Sequence, residues 1–130
     1  MDRLSNMLSS IKNSVMAGND FVEVVYTKEC ENVAKVLKKA GFLDKVKSFK
    51  PKNRCYKGLM LSFTKENGQN KISDIKRISK PGRRLYIKGK DIRPVLNGFG
   101  IAVVSTSRGV MNSMEAKKKK LGGEILCEIY

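Results

Sequence analysis

Apolar residues return at three- and four-residue intervals at the start of the chain, where Leu4, Met7, Leu8, Ile11 and Val15 form one stripe with Arg3 and Lys12 off it. That spacing predicts an amphipathic helix, ended by the turn formers Ala17-Gly18-Asn19-Asp20. The pattern then changes. Phe21, Val22, Val24, Val25 and Tyr26 are the β-branched and aromatic types of a strand. Thr27 fits the N-cap of a second helix over about 28–40 that turns Val33, Ala34, Val36 and Leu37 inward, with Gly41 in the left-handed position after its end. Leu43, Val46 and Phe49 recur among polar residues as a strand over 42–49. A turn at Lys50-Pro51-Lys52-Asn53 leads to the next strand, 56–63.

The polar stretch 65–71 is the strongest loop signal in the sequence. It divides the chain into a first lobe, 1–71, and a second, 72–130. In the second lobe Ile72, Ile75 and Ile78 lead to Lys80-Pro81-Gly82-Arg83, where Pro and Gly suit a type II turn, and 83–88 returns as the partner strand. Asp91 caps a short turn through Pro94 and Leu96 to Asn97-Gly98. The apolar run Ile101-Ala102-Val103-Val104 reads as a buried strand that opens into a loop at Ser105-Thr106-Ser107. Asn112 and Glu115 have capping-box spacing for a short helix containing Ala116 and Lys117 to Lys120, broken by Gly122-Gly123. The terminal strand, 124–130, puts Ile125, Cys127 and Ile129 on one face. The expected fold is α+β in two small lobes, α-β-α-β-β followed by a mainly β lobe with a short helix.

Charge changes the picture from fold to partner. Lys and Arg number 27 against 12 acidic residues, a formal +15, so a polyanion is the natural partner and its binding should weaken steeply with salt. The cations gather between the two lobe-2 strands: Lys76, Arg77, Lys80, Arg83, Arg84, Lys88 and Lys90 surround Tyr86 with no acidic residue before Asp91. Positive charge beside an aromatic ring suits RNA through phosphate contact and stacking; a merely solvated hairpin is the plain alternative. Lys28, in the first turn of a helix, opposes the helix dipole and points to an anion there. The run Lys117 to Lys120 covers all sides of a helix, facing solvent or phosphate.

Other chemistries find little to work with. The three cysteines, Cys30, Cys55 and Cys127, are odd in number and far apart, and the chain has no histidine. No disulfide framework, metal site or cofactor is expected, and reduced thiols fit an intracellular protein. No apolar run approaches the roughly 20 residues that span a bilayer, and the opening residues lack a signal-peptide pattern. Among the carboxylates only Glu29 and Glu31 are close in sequence, and on a helix they face different ways. Neither an enzyme nor a small-molecule substrate is expected. Ser105, Thr106 and Ser107, by contrast, put three small hydroxyls next to Arg108 and Gly109, a set suited to phosphate, sugar and base edges, although such clusters also simply close loops.

Three separated segments, GIAVVSTSRGVM (Gly100–Met111), RISKPGRRLY (Arg77–Tyr86) and LGGEILC (Leu121–Cys127), resemble the S-eight family of small ribosomal subunit proteins in its bacterial and organellar form. Their order and spacing match too. VAKVLKKAGFL (Val33–Leu43) and the opening helix agree more loosely, so the resemblance spans the chain. Asn112-Ser113 stands where many relatives have Thr-Asp, a change that keeps capping chemistry. The resemblance implies a non-catalytic protein that binds the central domain of small-subunit rRNA early in assembly, beside neighbouring ribosomal proteins, in a bacterial cytoplasm or an organelle. It implies that Ser105, Thr106 and Ser107 meet an irregular internal loop of the RNA, with Gly122, Gly123 and Glu124 beside it. Glu124 would accept from a base amino group or a 2′-hydroxyl, or would only orient the loop. A messenger RNA that imitates the ribosomal site is a further possible partner, as a target of translational regulation.

Overall fold

A computed structural model describes residues 3–52, 55, 57–66, 68–80, 82–93 and 100–130. The chain forms two compact units, Met1–Ser73 and Asp74–Tyr130, each combining helix with antiparallel sheet, so the fold is α+β.

In the first unit the apolar stripe becomes helix α1 (Arg3–Met16), which buries Leu4, Met7, Leu8 and Ile11. Strand β1 (Phe21–Val25), helix α2 (Lys28–Lys39), β2 (Leu43–Phe49) and β3 (Gly58–Phe63) follow. The sheet order is β1-β3-β2, and central β3 buries Leu59, Leu61 and Phe63 at alternate positions. Thr27 caps α2: its Oγ1 accepts from the Cys30 amide at 3.1 Å. Cys30, Val33, Ala34 and Leu37 form the buried face of α2, while Val36 is only half-buried. The stretch 65–71 is more ordered than its polarity suggests. Lys65–Glu66 (β4) pairs with Gln69–Asn70 (β5) in a miniature hairpin, with Gly68 at φ +79°. An Asn-Gly pair between short extended segments is a strong two-residue hairpin signal, and it outweighs the low apolar content. Asn67 itself, like Asn53 in the preceding turn and Tyr56 at the expected start of β3, lies outside the described residues.

The second unit comprises β6 (Ile75–Arg77), β7 (Tyr86–Ile87), a 3₁₀ turn at Gly89–Asp91, β8 (Ile101–Thr106), β9 (Gly109–Asn112), helix α3 (Ser113–Lys118) and β10 (Gly123–Ile129). Three expectations need correction here. The strands before and after Pro81-Gly82 do not pair with each other as a hairpin. They lie end to end on one edge of β10, Cys127–Ile129 opposite β6 and Gly123–Glu124 opposite β7, while β8 holds the other edge. The reason is Ser79, a fully buried hydroxyl that accepts from the Leu85 amide at 3.0 Å and donates to the Leu85 carbonyl at 3.3 Å. The backbone therefore leaves the edge after Ile78, turns through the mutual Lys80 and Arg83 backbone bonds of 3.0 and 2.9 Å, and returns at Leu85. Pro81 lies outside the described residues.

Asp91 closes the 3₁₀ turn through its amide to Lys88; the turn expected through Pro94 and Leu96 to Asn97-Gly98 lies outside the described residues. Second, Asn112 does cap α3, its Oδ1 accepting from the Glu115 amide at 2.8 Å, but the helix stops at Lys118, before Gly122-Gly123. Lys120 takes the left-handed turn instead, at φ +57°. Third, β10 carries a bulge between Ile125 and Cys127. An extra residue reverses the alternation, so Ile125 lines a groove with Glu128 and Tyr130 and parts from buried Cys127 and Ile129.

Burial pushes the Cys127 thiol from an ordinary 9.0 up to about 12, Arg77 opposing the shift and Glu128 adding to it. The thiol stays protonated in the folded chain while an unfolded one ionises from about 9. Its contribution to stability is therefore complete below pH 9 and is lost as the pH climbs toward 12. Urea midpoints of wild type and Cys127→Ala should keep a constant difference up to about pH 9 and change in the variant's favour above it.

Candidate nucleic-acid interface

The hydroxyl-rich segment is the end of a two-residue hairpin rather than an open loop. Ser105 and Thr106 belong to β8, Thr106 pairs with Gly109, and Ser107-Arg108 form the turn. Gly109 takes φ +113° there, a conformation that suits glycine. The three hydroxyls consequently separate. Thr106 Oγ1 donates to the Gly109 carbonyl at 2.8 Å and accepts from the Arg108 amide at 3.2 Å, which commits it to shaping the turn. Ser105 alternates to the opposite face, and Ser107 is exposed at the tip.

Cross-strand registry then builds what sequence distance conceals. Ser105 lies opposite Val110 on β9 and Glu124 on β10, and Glu124 lies opposite Tyr86 on β7. Directly opposed residues share a face, so Val110, Ser105, Glu124 and Tyr86 form one row across four strands. The flanking positions Val104, Ile125 and Ile87 point to the other face, where they line one groove with Ile92 beside the cluster of Ile92, Met111 and Ala116, with Ile87 and Leu121 packed against it. Tyr86 is 70% exposed. The Glu124 side chain, only 13% exposed, holds the Arg84 guanidinium, 58% exposed, at 3.2 Å.

Gly122 and Gly123 give the row its spacing. A Cβ on Gly123 would collide with the Ser105 carbonyl oxygen and come within 2.8 Å of its carbon; one on Gly122 would lie 2.5 Å from the Ile87 carbonyl oxygen. Neither glycine breaks the helix; both let β10 enter between β7 and β8. Lys80 and Arg83 sit exposed at the tip of the 78–85 excursion, beside the row. Lys28 belongs to the first unit, exposed in the first turn of α2. The structure thus assembles Ser105, Glu124, Tyr86 and Arg84, with Gly122 and Gly123 setting the strand spacing, while Ser107 stands exposed at the hairpin tip and Thr106 serves the turn. Chemically this is a shallow polar strip of hydroxyl, carboxylate and phenol flanked by cations, able to hydrogen-bond base edges and stack on a base. Ser79, which ties the excursion, escaped the sequence reading because nothing in its neighbours marks it.

Residues 2–130 match the family model for ribosomal protein S8. The chain belongs to the ribosomal protein S8 family. It is 42% identical over 130 residues to small ribosomal subunit protein uS8 of Rhodopirellula baltica, covering 98% of this chain and 97% of that one. The uS8 of Syntrophus aciditrophicus is 41% identical over 131 residues, with 99% and 97% covered. The uS8c of Welwitschia mirabilis is 38% identical over 130 residues, covering both chains in full. S8 is a family of ribosomal proteins and not of enzymes, and the hydroxyl strip is to be understood in that setting.

Gly123→Ala should cost about 1–3 kcal/mol by overpacking, read as a lowered urea midpoint. Gly82→Ala meets open space and should stay within about 0.5 kcal/mol of wild type.

Proposed function

We propose that this chain is a structural, non-catalytic component of the small ribosomal subunit that binds the central domain of its rRNA directly and helps to assemble the platform. In this reading the second unit is the RNA-binding lobe. Ser105, Ser107 and Glu124 read the edges of unpaired bases in an irregular internal loop, Tyr86 stacks on one of them, and Thr106, Gly122 and Gly123 hold the reading surface in shape. Arg84, Lys80, Arg83 and Arg108 contact the phosphates around it, and Lys28 adds a backbone contact from the first unit. Neighbouring ribosomal proteins occupy other surfaces.

The observation that carries this reading is the row Ser105–Glu124–Tyr86, three groups drawn from separate strands onto one face with a cation at its side. A regular A-form helix hides its base edges in a narrow major groove, whereas splayed bases offer them to small hydroxyls and stack on aromatic rings. Glu124 is a carboxylate in a strip meant for a polyanion, and Arg84 offsets it locally. Full-length similarity to proteins named for the small ribosomal subunit supports the same setting.

Ser105→Ala with Ser107→Ala should weaken binding to an internal-loop RNA by roughly 0.5–1.5 kcal/mol for each hydrogen bond lost and leave binding to a plain RNA duplex unchanged. Equal binding of both RNAs by wild type and variant alike would exclude the row from recognition. Lys80→Ala and Arg83→Ala should instead weaken all RNAs, each lowering the salt dependence by about one unit or a little less, as filter binding across a salt series would read.

A further inference from the structure

Helices α1, α2 and α3 all end on one device. At the end of α1 the Asn19 amide donates to the Ser14 carbonyl at 2.9 Å and the Gly18 amide to the Val15 carbonyl at 3.1 Å, with Gly18 at φ +78°. At the end of α2 the Phe42 amide donates to the Leu37 carbonyl at 3.0 Å and the Gly41 amide to the Lys38 carbonyl at 3.0 Å, with Gly41 at φ +90°. At the end of α3 the Leu121 amide donates to Ala116 at 2.9 Å and the Lys120 amide to Lys117 at 3.0 Å. All three are the Schellman pattern, in which the left-handed residue is usually glycine. In α3 it is Lys120 at φ +57°, where a Cβ makes the conformation costly. A fold that uses glycine at two such corners keeps a lysine at the third.

That lysine stands where two basic stretches meet. A Cβ on Gly89 would lie 2.8 Å from the Lys120 carbonyl carbon and 3.0 Å from the Leu121 nitrogen, so Lys88-Gly89-Lys90 runs backbone to backbone against the end of α3. Lys88, Lys90, Lys117, Lys118 and Lys120 are all exposed, and among the described residues none of the five has an ion-pair partner. Lys119 is held by Glu115 at 3.4 Å, and Asp91 is the carboxylate of the 3₁₀ turn. Met114 is the large apolar side chain exposed on α3, too little to form the desolvated anchor cluster of a protein partner; five ammonium groups suit phosphates.

Lys90, Lys117, Lys118 and Lys120 lie on or next to the 3₁₀ turn and helix α3, which meet on the face opposite the row, whereas Lys88 alternates with Ile87 back onto the row's own face. Helix α3 packs through Ala116 with Met111 and Ile92, and Met111 pairs with Val104, whose side chain alternates away from Ser105. A strand lying along the row does not reach around the sheet to them. We infer that Lys90, Lys117 and Lys120 form a second phosphodiester-binding surface, so that the second unit holds two RNA segments on opposite sides. The ligand class rests on the RNA-binding reading above; the surface itself does not depend on the row.

The full-length protein tests this with two variants, Lys120→Gly, which relieves the left-handed lysine, and Lys90→Ala/Lys117→Ala, which leaves the backbone alone. Against a plain RNA duplex, Lys120→Gly should raise Tm yet flatten the salt dependence by about one unit, and the double variant should flatten it by about two. A raised Tm with affinity and slope unchanged in both variants means a solvated lysine run and overturns the inference. In a second arm, an immobilised internal-loop RNA captures the protein and a labelled duplex is added. Wild type should recruit the duplex, whereas the variants should be captured but recruit several-fold less. Recruitment equal to wild type overturns the second surface, whereas failure of wild type to be captured sinks the row and leaves the duplex slope to judge the lysines.

Discussion

The backbone-to-backbone approach of Gly123 to Ser105 is the constraint on which the second unit depends. β10 is paired along both edges, with β8 on one and β6 and β7 in succession on the other. A strand hydrogen-bonded on both sides has little freedom to slide, because a one-residue slip would turn its buried Cys127 and Ile129 to the opposite face. Fixing β10 fixes the partners of Glu124, and so the positions of Ser105 and Tyr86. The geometry that presents polar groups to a ligand is thus set by apolar burial and glycine spacing a few ångströms away. The polar groups themselves contribute little to it.

The row is also electrically balanced in a way that bears on specificity. Glu124 is largely buried between two strands, and a buried carboxylate is costly without a partner. Arg84 provides one, reaching back from the excursion that Ser79 ties down. The same guanidinium is more than half exposed and keeps donors for a phosphate, since five N–H groups exceed what one carboxylate takes. In the proposed role an approaching RNA would meet hydroxyls and a carboxylate that discriminate, and cations that attract without discriminating. The first kind would set which RNA is held and the second how fast and how salt-dependently it arrives.

Local chemistry was readable from the chain where it acts within a few residues. The stripe Leu4, Met7, Leu8, Ile11, the Thr27 cap, the Gly41 corner and the Asn112–Glu115 cap all operate over three or four positions, and periodicity or residue type reveals them. What escaped depends on longer-range pairing or on one residue's special geometry. Nothing in RISKPGRRLY says that Ser79 will hold Leu85 and send the two flanking strands to a third. The charge pair Arg84–Glu124 joins residues 40 positions apart. Gly122-Gly123 looks like a helix breaker because glycine often is one, yet the backbone contact it permits lies with strands that the local sequence does not name. The hydroxyl cluster was legible as chemistry but not as geometry, since alternation in a strand divides three neighbouring side chains between two faces.

Rigidity is what would let so plain a surface serve the recognition proposed for it. Each Ser or Thr contact contributes little net free energy, so a handful cannot discriminate if ordering them consumes what they supply. Here Ser105 and Glu124 sit within paired strands, near the ends of β8 and β10, and Tyr86 pairs along the edge of β10, so their positions are settled during folding. The proposed binding would then order mainly the RNA and the long cationic side chains, and preorganisation would leave more of each weak contact as affinity. A hydroxyl strip on a mobile loop would carry the same atoms and recognise far less.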